Sequence, residues 1–233
     1  IGVTGYLQAT DEQRAWLPEV YNYLRVFDKE YSLARGWTIS RKLTTTKPSG
    51  TLSLLPGVTP GVHPGIYQYF IRRIRMGSNI PLVAVCKANG YHVEYQKNFD
   101  GTEDRNTVVV SFPCAYPEGT VLAKDVTAID QLEWVRRLQT DWSDNAVSCT
   151  VYYRKEELPA IKKWLSDHYN DNVKTVSFLL HNEHGFVQAP YEEITKEQYE
   201  EMRATTRPIN SGDVDDNAIL DSFECSSGAC PIK

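Results

Sequence analysis

The chain has 233 residues, of which 41% are hydrophobic, and its formal net charge is -5 at pH 7. This length and composition suit one domain, or a large part of one, with a sizeable core. The net charge argues against a general nucleic-acid binder, and no apolar run approaches the roughly 20 residues that a membrane span needs. We find no signal peptide, and an isoleucine as first residue predicts a fragment or a processed chain.

The five cysteines are an odd number for a disulfide framework. Cys86, Cys114 and Cys149 lie far apart in apolar contexts, whereas Cys225 and Cys230 lie close to the end of the chain. This distribution predicts a reducing, cytoplasmic location. We expect the first three to be core or strand residues, with Cys149 the best suited to burial.

The first predicted element is a helix from Asp11 to about Ala34, and Gly36 follows it as a stop signal. Its apolar stripe consists of Trp16, Leu17, Val20, Tyr23, Leu24 and Phe27. Residues 37–46 are predicted to be extended and to lead into a turn.

The stretch 44–55, TTTKPSGTLSLL, predicts a strand end, a tight turn and a helix start. Such a geometry directs free N–H groups at one point, which favours an anion and above all a phosphate. Hydroxyl donors could come from Ser49, Thr51 and Ser53. An ordinary tight turn capped by serine and threonine is an equally weighted alternative.

A loop over Pro56–Gly65 is predicted next, beside the proposed anion site, since it is rich in proline and glycine. Its His63 fits a surface or hydrogen-bonded role better than a catalytic one. The following stretch, Tyr67–Met76, carries Arg72, Arg73 and Arg75. We expect a strand or helix with one solvated basic face, or a surface on which an anionic ligand or a partner chain lies.

The remaining pattern alternates predicted strands and helices, which favours an α/β fold with parallel strands and crossover helices. Ser78 is the predicted cap of the first of these helices, and a polar turn at Asp100-Gly101 predicts a β-hairpin. The predicted helices are Ile80–Ala88, Thr127–Trp142 (capped by Thr127, with Ile129, Leu132, Val135 and Leu138 inward), Lys155–Tyr169 and Ile194–Thr205; the predicted strands are Tyr91–Gln96, Thr107–Phe112, Ala146–Tyr153 and Thr175–Leu180.

The composition changes after Arg207, where aspartate, serine and glycine replace apolar residues and predict a mobile tail. The tail ends in ECSSGACPIK, in which four small residues separate Cys225 from Cys230. An accessible pair on a flexible arm suits thiol–disulfide exchange. A zinc site, which would need two further ligands, and an inert tail are the alternatives.

Five stretches, in order along the chain, resemble the adenosylcobalamin-dependent (class II) ribonucleotide reductases, specifically the monomeric ribonucleoside-triphosphate reductase type. They are KPSGTLSLLPGVTPG (47–61), YFIRRIR (69–75), WSDNAVSCTV (142–151), HGFVQAPYEEI (184–194) and ECSSGACPIK (224–233). The resemblance implies the C-terminal part of that family's ten-stranded α/β barrel over residues 1–206, and a flexible redox tail over 207–233.

The resemblance also implies a reaction, the reduction of a ribonucleotide to the 2′-deoxyribonucleotide by a cysteine radical that adenosylcobalamin generates. It assigns the substrate phosphates to Pro48, Ser49, Gly50, Thr51 and Ser53. It assigns the redox-active pair to Cys225 and Cys230, with thioredoxin as their reductant. The cofactor side would include His63, Arg72, His184 and Phe186. Independently of the resemblance, we predict no metal site on this chain, and no membrane or nucleic-acid partner.

One departure from the family matters. The radical cysteine in its Asn-Pro-Cys-Gly-Glu loop, the two reducing cysteines of the barrel and the N-terminal allosteric region are absent from the sequence. We therefore expect the chain to be inactive without the missing N-terminal part of the reductase. The alternatives are a fragment of a class I large subunit and a nucleotide-binding module with a metal-binding tail.

Overall fold

The structure is a computed structural model that describes residues 1–50, 52–168, 170–181 and 187–213. It has a mixed α/β fold, and no helix in these ranges is both long and apolar enough to cross a membrane. The strands and helices, in chain order, are β1 (Gly2–Val3), α1 (Asp11–Leu33), β2 (Thr45–Thr46), β3 (Tyr69–Gly77), α2 (Pro81–Ala88), β4 (His92–Lys97), β5 (Glu103–Ala115), α3 (Ala128–Asp141), β6 (Thr150–Tyr153), α4 (Leu158–Asp167), β7 (Ser177–Leu180), β8 (Tyr191–Glu193) and α5 (Lys196–Thr205).

The chain divides into two compact units. Unit 1 contains Ile1–Gln68 and Tyr116–Glu183, and unit 2 contains Tyr69–Ala115 and His184–Lys233. The chain therefore leaves unit 1 before β3 and returns to it after β5.

Unit 1 contains two pairs of parallel strands. β1 pairs with β2, and β6 pairs with β7 through the crossover helix α4. The predicted strand–helix–strand rhythm is confirmed here, because parallel neighbours need a connection long enough to return to the same end of the sheet.

The core of unit 1 forms around α3, whose predicted inward positions Leu132, Val135 and Leu138 are at most 1% exposed. The cap at Thr127 is also confirmed, since its hydroxyl accepts from the Asp130 N–H while the Asp130 carboxylate accepts from the Thr127 N–H. This reciprocal arrangement satisfies two donors that the first turn of a helix leaves free.

Helix α1 spans nearly the predicted range and begins at a reciprocal cap between Thr10 and Gln13, which sequence reasoning missed. Only part of its apolar surface reaches the core, through Leu17, Tyr21 and Leu24. The other apolar positions of the predicted stripe, Trp16, Val20, Tyr23 and Phe27, are exposed.

Unit 2 is built on a four-stranded sheet in the order β4-β5-β3-β8, and all its pairings are antiparallel. The predicted hairpin is confirmed, with Gly101 at a φ of 83° in the turn between β4 and β5. The expectation of parallel strands is wrong for this unit. A turn of a few residues can only reverse the chain, so adjacent strands joined in this way must be antiparallel.

Two boundaries in unit 2 differ from the sequence analysis. Helix α2 begins at Pro81 after Ile80 and not at a Ser78 cap, because proline supplies the φ of a first helical residue and has no N–H to satisfy. The predicted mobile tail also begins later than residue 207. Arg207 N–H donates to Asn89 O, and Ile209 packs on the unit 2 core, so both residues still belong to the folded unit. The tail prediction beyond residue 213 lies outside the described residues.

Candidate functional site

The predicted anion site lies where β2 ends, in the segment 47–53, which we call the anion turn. Lys47 and Pro48 are exposed, and Ser49 and Gly50 are half-buried. The predicted helix start is only a three-residue 3₁₀ helix, Leu52–Leu54. A helix dipole is therefore largely missing, and local N–H groups, hydroxyls and Lys47 are left to attract an anion.

The two described serines of the anion turn have different roles. Ser53 is 1% exposed, and its hydroxyl donates to Ser49 O at 2.6 Å, so the hydroxyl hydrogen is used to shape the turn. The Ser49 hydroxyl lies 3.4 Å from Thr4 Oγ1, and among the described residues the Ser49 N–H donates to no acceptor. Ser49 is thus the residue of the turn whose donors suit a phosphate oxygen.

The segment that begins at Trp142 holds the strand leading into the anion turn. The hydroxyl of buried Thr44 donates to Trp142 O and accepts from the Asp144 N–H at 3.0 Å. The Trp142 indole N–H donates to Thr45 O at 3.1 Å. These contacts fix the backbone within three residues of Lys47, across almost 100 positions in sequence.

The Asp144 carboxylate ties the same strand to helix α1. It accepts from Leu43 N–H and from the Tyr21 hydroxyl, both at 2.7 Å. Partial burial opposes ionisation, but these hydrogen bonds and a further one from Thr44 N–H lower the pKa of Asp144. Sequence reasoning missed this anchor, although Asp144 lies within the WSDNAVSCTV stretch.

The proline- and glycine-rich loop packs directly against the anion turn, as predicted from its position. Gly61 has a φ of 60°, and a Cβ atom there would lie 2.9 Å from Lys47 O. Its N–H donates to Thr4 Oγ1 at 2.9 Å, the same hydroxyl that lies beside Ser49. Gly61 therefore allows a close backbone approach that no other residue would permit without displacing the turn.

His63 is buried, with 8% exposure, and both its ring nitrogens have partners. Nε2 accepts from Thr150 N–H and Nδ1 donates to Pro60 O, each at 3.0 Å, which defines a neutral ring. The expectation that His63 has a hydrogen-bonded role is therefore confirmed. Neither nitrogen is free to bind a ligand here, and its assignment to the cofactor side stays a prediction.

We expect His63 to make the stability of the chain depend on pH. Burial lowers the pKa of His63 below its ordinary 6.5, since the charged ring would lose water and its bond from Thr150. The unfolded chain then takes up a proton that the folded chain refuses. The free energy of unfolding should be fully maintained above about pH 6.5 and should fall as the pH drops towards the folded-state pKa.

Urea unfolding at pH 7.5 and pH 5.5 tests this expectation with the variant His63→Asn. This variant should be less stable at pH 7.5 and should lose less stability between the two pH values than the unaltered chain. His92→Asn, at an exposed histidine, is the matched control and should behave like the unaltered chain. Equal pH dependence in all three proteins would contradict the assignment.

In unit 2, three arginines of β3 hold the segment that precedes β8 through consecutive carbonyl groups. Arg75 donates to Gln188 O, Arg73 to Ala189 O and Arg72 to Pro190 O, each at 3.1 Å. The basic stretch is thus a strand, and the chain itself lies on its arginines. The expected solvated basic face is largely occupied by this contact.

Arg72 and Arg73 nevertheless keep unsatisfied donors. The Nε atom of each is buried and has no hydrogen-bond partner within the described part of the chain. The Arg72 guanidinium lies 4.6 Å from the centre of the Tyr191 ring, and Arg73 forms an ion pair of 2.5 Å with Glu192. A buried cationic donor without an acceptor is costly, so these atoms suit an acceptor from a bound molecule.

The described part of unit 2 also contains a cleft of about 510 Å³ beside Arg75. Gln188 forms part of its wall in a left-handed conformation, with a φ of 57°. The Gln188 side chain accepts from Lys97 N–H and donates to Tyr95 O, both at 2.9 Å, where the β4 pairing shifts register. The cleft is lined by Arg75, Gln96, Lys97, Asn98, Phe99, Val187, Gln188, Ala189 and Pro190.

The three described cysteines are free thiols suited to packing. Cys149 is buried as predicted, and Cys86 is even less exposed. Burial raises the pKa of Cys114 to about 11 and that of Cys149 to about 12, so neither forms a thiolate near neutral pH. In the described ranges, no three His, Cys, Asp or Glu side chains converge to hold a metal ion.

Several predicted site residues lie outside the described residues. They are Thr51 of the anion turn, His184 and Phe186 of the predicted cofactor side, and the cysteine pair Cys225 and Cys230. Their assignments stay predictions.

No protein-family model matches the chain. Curated relatives are nevertheless clear. The chain is 38% identical over 219 residues to the adenosylcobalamin-dependent ribonucleoside-triphosphate reductase of Lacticaseibacillus paracasei, covering 88% of this chain and 28% of that protein. It is also 38% identical over 215 residues to the enzyme of the same name from Euglena gracilis, covering 91% of this chain and 29% of the relative.

A solved structure gives the same result at the level of the fold. The chain matches the crystal structure of a B-12 dependent (class II) ribonucleotide reductase with a TM-score of 0.72 and 29% sequence identity. The match covers 94% of this chain and 29% of the solved chain. The chain therefore spans less than a third of the length of these relatives.

Proposed function

This chain belongs to the adenosylcobalamin-dependent (class II) ribonucleotide reductases, as a segment matching under a third of their length, and we propose that it is the substrate-phosphate and electron-delivery part of such an enzyme. The complete enzyme reduces ribonucleoside triphosphates to 2′-deoxyribonucleotides in the cytoplasm. This chain would contribute the C-terminal part of a ten-stranded α/β barrel and a flexible redox tail.

The observation that carries the proposal is the anion turn. Its exposed lysine, the Ser49 hydroxyl and the Ser49 N–H, which has no acceptor among the described residues, lie on one short segment that long-range contacts hold in place. Ser49, Gly50 and Thr51 would hold the substrate phosphates through backbone and hydroxyl donors, and Pro48, which has no N–H to donate, would fix the backbone of the turn beside them. Ser53 would support them indirectly, because its hydroxyl is bonded to Ser49 O.

The fit to adenosylcobalamin rests on the buried Arg72 Nε, for which the described residues offer no acceptor. The cofactor carries amide oxygens and a phosphate, and either could accept from this donor. His63 fits less well because both its nitrogens are occupied. When bound, adenosylcobalamin supplies the radical that starts the reaction. His184 and Phe186 would complete the cofactor side of this chain.

The chain depends on other components of the reaction. Because burial raises the pKa values of Cys114 and Cys149, neither thiol suits thiol–disulfide exchange, and the radical and reducing cysteines would come from the N-terminal part of the reductase. Cys225 and Cys230 would return two electrons to its active-site disulfide and become a disulfide themselves. Thioredoxin would then reduce that disulfide.

A titration of the chain, combined with the remainder of the reductase, tests the phosphate assignment. We expect a ribonucleoside triphosphate to bind at least about 100-fold more tightly than the nucleoside without phosphates, since charged hydrogen bonds are lost with the phosphates. Equal affinity for the two compounds would contradict the proposal.

The two alternatives differ in features that can be measured. A class I large subunit would use a separate radical-generating subunit and a pair of relay tyrosines. Tyr152 and Tyr153 are neighbouring tyrosines in β6, whereas β7 contains no tyrosine. A nucleotide-binding module with a metal-binding tail would contain stoichiometric zinc and would not exchange with thioredoxin.

A further inference from the structure

Helix α1 carries a second apolar surface that faces away from the core, and we call it the exposed stripe. Its members recur every three or four residues, so they align along one side of the helix. They are between 41% and 67% exposed. The exposed stripe consists of Trp16, Val20, Tyr23, Phe27 and Tyr31.

The buried contacts of α1 lie on a neighbouring side of the helix. Leu17, Tyr21 and Leu24 pack against the core of unit 1, each one position away from a member of the exposed stripe. The apolar surface of α1 therefore extends beyond the side that unit 1 covers. A helix with so wide an apolar surface is normally packed on more than one side.

The exposed stripe is already ordered as an aromatic ladder. Ring centres lie 6.4 Å apart between Tyr23 and Phe27 and 5.6 Å apart between Phe27 and Tyr31. The Arg35 guanidinium lies 3.4 Å from the Tyr31 ring centre. Because these rings support one another, a partner would lose little conformational entropy in binding them. Large exposed aromatic surfaces of this kind mark interaction sites.

One edge of the exposed stripe is acidic. Glu12, Glu19 and Glu30 are exposed, and each lies three or four residues from a stripe member, beside Trp16, Tyr23 and Phe27. A partner should therefore present an apolar surface with lysine or arginine along the facing edge. A second copy in symmetric antiparallel pairing would bring this acidic edge against itself, which disfavours a homodimer.

The length of the relatives indicates which polypeptide packs on the exposed stripe. About 70% of the polypeptide of a relative has no counterpart in this chain. We propose that the exposed stripe of α1 is the docking surface for that remaining part of the reductase, through a basic-edged apolar element. This inference rests on the proposed function and adds a specific surface to it.

The test measures binding of this chain to the remainder of the reductase from the same organism, produced as a separate polypeptide. Phe27→Ser removes the centre of the aromatic ladder and should weaken binding at least 10-fold. Leu33→Ser is the matched control, since Leu33 is 58% exposed on α1 but lies off the stripe. It should change the affinity less than twofold. Thermal unfolding of each variant alone checks that both retain the fold.

Equal effects of Phe27→Ser and Leu33→Ser on binding would overturn the inference, as would self-association of the chain through Phe27. A complex that depends on Phe27 but makes no deoxyribonucleotide would contradict the proposed function and leave the docking surface supported. A complex that makes deoxyribonucleotide, but whose affinity does not change with Phe27→Ser, would support the proposed function and overturn the docking surface. A charge reversal at Glu19 to lysine should also weaken binding, and more strongly at low salt.

Discussion

Replacement of Cys225 by alanine should abolish thioredoxin-supported turnover of the complete reductase, by a factor of about 100 or more, while turnover with a small dithiol survives. The different effect on turnover with the two reductants distinguishes the role of the tail from a general loss of activity. Under the proposed function, a small dithiol would reach the active-site disulfide directly, whereas thioredoxin, which is much larger, would act through Cys225 and Cys230.

The electron balance explains why one substitution is enough. In the proposed role, the Cys225–Cys230 dithiol would give two electrons and two protons to the active-site disulfide, and the resulting disulfide of the tail would be reduced by thioredoxin. With alanine at position 225, Cys230 can form a mixed disulfide, but no second thiol remains to resolve it. The active site then stays oxidised after one turnover.

Ser226→Ala, between the two cysteines, is the matched control and should retain both activities. Reductive turnover is measured separately with thioredoxin and with the small dithiol for each variant. Equal loss of both activities in Cys225→Ala would contradict the role of the tail.

The second large effect is expected at Gly61, where an alanine Cβ would lie 2.9 Å from Lys47 O. The anion turn must then move, and displacement of a substrate-positioning group by about 1 Å can cost about 100-fold in rate. We expect Gly61→Ala to lower kcat/KM for the ribonucleoside triphosphate by about 10- to 100-fold. It should also reduce the preference for the triphosphate over the nucleoside in binding.

Gly57 provides a control within the same loop. Its φ of 69° is close to that of Gly61, but a Cβ atom there would meet nothing within 4 Å. Gly57→Ala therefore introduces a similar backbone strain, about 1–2 kcal/mol, without pressing on the turn. If the two variants lose kcat/KM equally, strain alone explains the effect, and the contact with Lys47 has no role in phosphate binding.

Local patterns in the sequence predicted most of the elements. The Thr127 cap, the inward positions of α3 and the hairpin turn at Gly101 all depend on neighbours a few residues away, and all three are confirmed. The loop beside the anion turn was also predicted, because proline and glycine restrict the backbone locally.

Features set by distant contacts were not predicted. The exposure of Tyr23 and Phe27 depends on which side of α1 the core occupies, and periodicity alone does not fix that side. The partners of His63, at Pro60 and Thr150, include one 87 positions away. The hydrogen bonds from the β3 arginines to the carbonyl groups of residues 188–190 likewise join segments more than 100 residues apart.

The most direct test of the account is reductive turnover by this chain combined with the remainder of the reductase, with thioredoxin, in the presence and absence of adenosylcobalamin. We expect 2′-deoxyribonucleotide formation only when adenosylcobalamin and this chain are both present. Formation without the cofactor, or none from a folded complex that binds nucleotide, would contradict it and favour the class I or binding-module reading.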